Sequence, residues 1–271
     1  MAKKCNNKLL IIEDGPNQGC DVIEHLEERK LKVFAIGDVH LSFNSPVDPR
    51  RWDNAKTSKP MDIFGELWYE HYRKIYDNWL SVISAADLVL MPGDFSWAMK
   101  LGEARYDLGF LGLLPGTIVG VAGNHDYWWQ SLSQVRAALP ANMRVIQNDH
   151  LVFGSFAVCG SRGWNSPGEA HYKEEDQKIY RRELLRMENS LKGVKGVRKI
   201  IVITHFMPTN EQHEKNDLID LFLRYGVDSV VYGHLHADAA RWKLPERAWG
   251  INFHLVSADY VNFTPVEIMQ G

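Results

Sequence analysis

A chain of 271 residues that is 45% hydrophobic is long enough to close a sizeable core, and its formal net charge of -3 provides no polybasic field for holding nucleic acid or an anionic membrane nonspecifically. Cys5, Cys20 and Cys159 are odd in number and lack metal-ligand spacing, which argues against a disulfide framework and for a reducing, cytoplasmic setting. The apolar run at residues 9–12 is far too short for a membrane span or the core of a secretory leader.

Residues 1–31 are polar and turn-rich around Glu13-Asp14-Gly15-Pro16, with a short helical pattern from 21 to 30. They read as a weakly ordered extension ahead of one domain over residues 32–271. From Val33 onward, short β-branched and apolar runs alternate with helical patterns, the signature of a layered α/β fold. Strands are expected at 33–36, 87–92, 117–122, 144–147, 151–159, 199–204, 228–232 and 251–257. Between the first two, a helix is expected over 62–84, because Phe64, Leu67, Trp68, Ile75, Trp79 and Ile83 recur at three- and four-residue intervals and form a core stripe. Ser131 is a plausible N-cap for a helix burying Leu132, Val135 and Leu139, which Pro140 stops. Further helices are expected over 174–191 and 217–225, the last closed by Gly226. Two long connections, 43–60 and 161–173, leave the chain near strand ends and are candidate walls of a substrate pocket.

Five short motifs follow these strand-like runs in order: Gly37-Asp38-Val39-His40, Gly93-Asp94, Gly123-Asn124-His125-Asp126, Thr204-His205 and Gly233-His234-Leu235-His236. Taken singly, each reads more readily as a turn or a core histidine than as a ligand. Together they place three Asp, one Asn and five His at strand ends, where open α/β sheets build their sites. So many buried polar and charged groups need a compensating partner, and oxygen and imidazole donors of this kind suit Mn, Fe or Zn.

As a set the motifs resemble those of the calcineurin-like metallophosphoesterase superfamily, which run Asp-x-His, Gly-Asp, Gly-Asn-His-Asp/Glu, His and Gly-His-x-His, and the resemblance spans Asp38 to His236. It implies a four-layer αββα sandwich, two mixed sheets flanked by helices. Carried over by position, it implies that Asp38, His40 and His236 bind one metal, that Asn124, His205 and His234 bind a second, and that Asp94 bridges them. It also implies that His125 is a catalytic non-ligand whose ring Asp126 orients. The neighbourhoods 93–98 and 124–129 look most like a group of uncharacterised bacterial phosphohydrolases in that superfamily. The protein phosphatase branch instead has Gly-Asp-x-x-Asp-Arg and an Arg before Gly-Asn-His, where this chain has Trp97-Ala98 and Ala122.

The expected activity is metal-dependent hydrolysis of a phosphate ester, on a small molecule or nucleotide, by in-line attack of a hydroxide bridging two divalent ions, with manganese ahead of iron or zinc. Alternatives from the same residues are a phosphodiesterase or nuclease acting on cyclic nucleotides or nucleic acid, and a non-catalytic scaffold. A metal sensor or store would have no use for a non-ligand His125. Arg162, beyond the strand ending at Cys159-Gly160, is a candidate fork for a substrate phosphate. Arg50, Arg51, Lys56 and Lys59 read as a solvated charge run. Trp129 reads as packing, Trp128 could pack or stack on a ligand, and His171 and His213 are second-tier candidates for the pocket border.

Overall fold

Period-two alternation along the strands decides the layering. The computed structural model describes residues 31–270, so the expected extension and its helix from 21 to 30 lie outside the described residues, except for Leu31. In β1 (Lys32–Ala35), Val33 and Ala35 point one way and Phe34 the other. The same split recurs in β2 (Leu88–Met91) and β3 (Thr117–Gly120), where Leu88, Leu90 and Val119 share a core with Val33, while Val89, Met91 and Ile118 share one with Phe34. A strand buried on both faces must carry apolar residues at every position, and that is why these runs read as continuous rather than alternating.

The first sheet runs β11 (Val266–Gln270), β1, β2, β3, β4 (Met143–Val145), parallel except for the antiparallel β1–β11 edge pair. The second has β5 (His150–Phe153), β6 (Phe156–Gly160), β7 (Lys199–Thr204), β8 (Ser229–Tyr232), β10 (Ile251–Leu255) and β9 (Arg247–Ala248) in that spatial order, with an antiparallel pair at each edge. Between the sheets, Val33, Leu90 and Val121 meet Val158, Ile203 and Val231 in one dry layer. On the outer face of the first sheet lie α1 (His71–Val82), α2 (Leu101–Leu111) and α3 (Leu132–Ala138), which bring Trp79, Leu108 and Val135 to Phe34 and Met91. On the outer face of the second, α4 (Glu174–Leu191) and α5 (Asp217–Tyr225) bring Met187 and Phe222 to Val202 and Tyr232. The result is the expected sandwich of two mixed sheets flanked by helices. Among the described residues no helix is long and apolar enough to cross a membrane.

Several expectations need correction. The helix expected over 62–84 starts only at His71, after two short 3-10 turns, Met61–Phe64 and Glu66–Trp68. Gly65 at φ 123° and Glu70 in the left-handed region interrupt it, so Phe64 and Leu67 leave the stripe and are 58% and 48% exposed. The run at 151–159 is a hairpin, β5 and β6, turned at Gly154 (φ 55°). Ser131 does precede α3, but its hydroxyl bonds the Gln134 side chain instead of capping the helix. The helix α2 was not expected, because Gly102 and Gly109 obscure the spacing of Leu101, Ala104, Leu108 and Leu111. Cys159 is buried, and burial pushes its thiol up to about 12, leaving it inert.

Candidate metal centre and active site

The carboxyl ends of β1, β2, β3, β7 and β8 meet at one edge of the sandwich, and the loops leaving them are knitted together through backbone. The Asp38 and His40 N–H groups donate to the Gly93 and Asp94 carbonyls (3.0 Å each), Gly37 donates to Val256, and Gly233 donates to the His205 carbonyl. Asp38, His40, Asp94 and His234 all adopt left-handed backbone, with φ between 44° and 71°. Such a conformation costs of order 1–3 kcal/mol at a non-glycine residue, and strain of this kind clusters at functional sites. Glycines let the loops close: a Cβ on Gly123 would lie 2.0 Å from Asp94 Oδ1, and one on Gly233 would lie 2.1 Å from Asp38 Oδ2.

The side chains gather in two lobes. In one, His40 Nε2 lies 3.4 Å from His236 Nε2, which is 3.6 Å from Asp38 Oδ1. In the other, Asn124 Oδ1 lies 2.5 Å from His205 Nε2 and 3.0 Å from His234 Nδ1, and the two ring nitrogens are 3.2 Å apart. Asp94 Oδ2 sits between the lobes, 3.7 Å from His40 Nε2 and 3.6 Å from His205 Nε2. Its other oxygen accepts the His125 backbone N–H at 2.8 Å.

Outer partners fix which ring nitrogens face inward. His205 Nδ1 donates to the Pro92 carbonyl and His236 Nδ1 donates to Asp259 Oδ1 (2.9 and 2.8 Å), so each turns Nε2 to the centre. Burial lowers His40 and His205, and holds His234 at about 3, so these rings are neutral at pH 7. Two acceptors, Asn124 Oδ1 and His205 Nε2, therefore face each other without a proton to share, with His234 Nδ1 beside both. Burial, then the charge of Asp38, pushes the Asp94 carboxyl well above its usual range. Burial also works to raise Asp38, but the hydrogen bond and charge of His236, with the charges of His205 and His40, hold it below the usual range. His236 is raised to about 10, because its bonds to Asp259 and Asp38 outweigh its burial. Facing lone pairs beside an under-compensated carboxylate are the donor set that divalent transition ions fit.

His125 stands at the edge of the first lobe, in tilted contact with His40, and Trp97 is wedged against both. With Phe64, Trp68 and His236, these rings line a cavity of about 260 Å³. Asp126 does not orient His125: its two oxygens accept from the Asp94, Phe95, Ser96 and Gly123 N–H groups and from the Trp128 indole. The His125 Nδ1 is buried without a partner. Five donors from two loops, all aimed at one carboxylate, leave it nothing to give a neighbouring ring, so Asp126 organises the loops under Asp94 instead.

Arg162 lies outside the histidine cluster. It lines a separate cavity with Gly123 and Asp126, its guanidinium over the Trp164 ring and 3.9 Å from Glu183 Oε1. Its carbonyl accepts from the His205 N–H, tying the expected loop at 161–173 to the second lobe. The first expected wall, 43–60, contributes Lys59, whose amine sits 3.2 Å above the centre of the Trp97 ring. Lys59 is thus not part of a merely solvated run, whereas Arg50 is, paired with Asp48 at the surface. A cavity of about 600 Å³ lies between this loop and α2 and shares only Trp97 with the cavity beside the histidines. Trp128 is fully buried; Trp129 packs on the core and also lines the Arg162 cavity. His213 is bonded to the Trp242 carbonyl and His171 is exposed. Sequence reasoning missed Asp259, Trp68 and Trp97. Asp259 follows the end of β10, so the strand-end rule that flagged the other motifs reaches it too.

A family model for calcineurin-like phosphoesterases matches residues 31–238. Among solved structures, the chain is similar to AQ665 from Aquifex aeolicus, a protein of unknown function (14% identity, 88% of this chain and 95% of that one, TM-score 0.46). It is similar to phosphopantetheinyl hydrolase PptH from Mycobacterium tuberculosis (13% identity, 89% and 96%, TM-score 0.49). It is similar also to the calcineurin-like phosphoesterase YfkN from Bacillus subtilis (13% identity, 84% and 82%, TM-score 0.47). No curated protein matches.

Proposed function

The chain belongs to the calcineurin-like phosphoesterase family, and from that membership we propose that it hydrolyses a phosphate ester of a small molecule or nucleotide at a centre for two divalent ions. Asp38, His40 and His236 would hold one ion, Asn124, His205 and His234 the other, and Asp94 would join them. The observation that carries this reading is the position of Asp94 Oδ2, at nearly equal distance from a ring nitrogen of each lobe. When bound, the ions supply charge that polarises the phosphoryl group and a water of lowered pKa; manganese is the first candidate, ahead of iron and zinc.

The chain's own residues do the rest. His205 and His236 keep their Nε2 atoms inward because Pro92 and Asp259 take the opposite N–H. Burial, then repulsion from His205 and Lys59, holds His125 at about 4, so its ring is neutral at pH 7 and acts on the leaving oxygen by donating an N–H. A phosphate dianion bound beside it would raise that pKa and favour full proton transfer. The cavity of Phe64, Trp68 and Trp97 takes the leaving group, whose apolar or aromatic part it can enclose.

The test is metal-dependent hydrolysis of p-nitrophenyl phosphate beside bis-p-nitrophenyl phosphate, with manganese, iron or zinc, against an Asp94→Asn blank. Activity above the blank supports the reading, and preference between the esters separates monoesterase from diesterase. Equal rates for wild type and blank with every ion would leave the scaffold alternative standing.

A further inference from the structure

The histidine site is flanked by the cavity that Arg162 lines, about 240 Å³, at the same edge of the sandwich between the ends of β3 and β4 and that of β6. Two more arginines line it, Arg182 and Arg186, one turn apart on α4. Like charges at that spacing repel on a helix. Their shared counter-charge is Glu183, 2% exposed, with Oε1 2.7 Å from Arg186, 3.6 Å from Arg182 and 3.9 Å from Arg162. Asp126 also borders the cavity, but five N–H donors already saturate its oxygens. Three guanidinium groups thus outnumber the two carboxylates at the cavity, Glu183 and Asp126, and the Arg162 Nε is buried with no partner. Uncompensated charge at a partly buried site is costly, and guanidinium forks match phosphate oxygens.

The cavity is continuous in its walls with the proposed metal centre. Gly123 forms one wall and abuts Asp94, and the Arg162 carbonyl accepts the His205 N–H.

Resting on the phosphoesterase reading, we propose that Arg162, Arg182 and Arg186 form a second anion subsite, which holds a phosphate group of the same substrate other than the one that is hydrolysed. The preferred substrates then carry two phosphate groups. Forked guanidinium donors from three side chains match the several oxygens of a phosphate better than the two of a single carboxylate.

The test is calorimetric titration of the full-length, EDTA-treated chain with inorganic phosphate, and with acetate as the monoanion. Phosphate is expected to bind at one site per chain, at least tenfold more tightly than acetate. Arg182→Gln/Arg186→Gln is expected to weaken it by about tenfold or more, and Arg182→Lys/Arg186→Lys by less. Should the double variant fail to fold, Arg182→Gln alone serves, since that side chain is 53% exposed, and a several-fold loss is expected. Unchanged phosphate binding in the glutamine variants, equal binding of acetate, or no phosphate binding to wild type overturns the subsite. Phosphate binding without ester hydrolysis would leave the subsite and remove the phosphoesterase reading; hydrolysis without phosphate binding would do the reverse.

Discussion

Gly123→Ala should disable the centre through Asp94 without replacing any proposed ligand. The added Cβ would stand 2.0 Å from Asp94 Oδ1 and 2.3 Å from the Asp94 nitrogen, where ordinary contact begins at 3.4 Å, so the two must separate by about 1.4 Å (3.4 less 2.0). That movement breaks the bonds of the His125 N–H to Asp94 Oδ1 and of the Asp94 and Gly123 N–H groups to Asp126 Oδ2, all within 2.9 Å. Overpacking of this kind costs about 1–3 kcal/mol, and each buried hydrogen bond lost adds roughly 1 kcal/mol. Metal ligands tolerate displacement of only about 0.2 Å, and a misplacement of about 1 Å can reduce rate 100-fold. We expect Gly123→Ala to lose bound manganese, measured by calorimetry, and to lose at least about 100-fold in kcat/KM on p-nitrophenyl esters. Gly109→Ala is the control: its Cβ meets nothing within 4 Å in α2, so the same chemical change should stabilise the protein by about 0.5–1 kcal/mol and leave activity alone. Wild-type metal affinity and turnover in Gly123→Ala would refute the placement of Asp94 at the centre.

Two further outcomes follow from the same contacts. His125→Ala is expected to abolish most hydrolysis while binding manganese as wild type does; loss of metal with activity would make His125 a ligand. Asp107 is buried beside Ser96, and burial raises its carboxyl to about 7, so the folded state holds a proton that the unfolded chain releases near 4. Stability from this group is therefore present below about pH 4 and declines as pH rises to about 7, by roughly 1.4 kcal/mol per unit. Urea midpoints between pH 5 and 8 should fall less steeply for Asp107→Asn than for wild type, and parallel curves would count against the raised pKa.

The strands, α4 and α5 could be read from the sequence because their signals are local: continuous apolar runs in β2 and β7, and an Asn216–Gly226 frame around α5 whose Asn216 side chain accepts from Leu218 and Ile219. The motif order likewise indicated that Asp38, Asp94, Asn124, His205 and His234 would meet, since parallel strands bring their carboxyl ends to one edge. What each side chain does there was decided only by tertiary structure. Asp126 is adjacent to His125 in sequence yet turns to five N–H donors from two loops, and Asp259, distant in sequence, is what bonds His236. The break at Gly65 and Glu70 and the grouping of Arg162 with Arg182 and Arg186 were likewise hidden. Hydrophobic period and chain order are properties of neighbouring residues, whereas hydrogen-bond partners and local charge balance depend on which loops fold against one another.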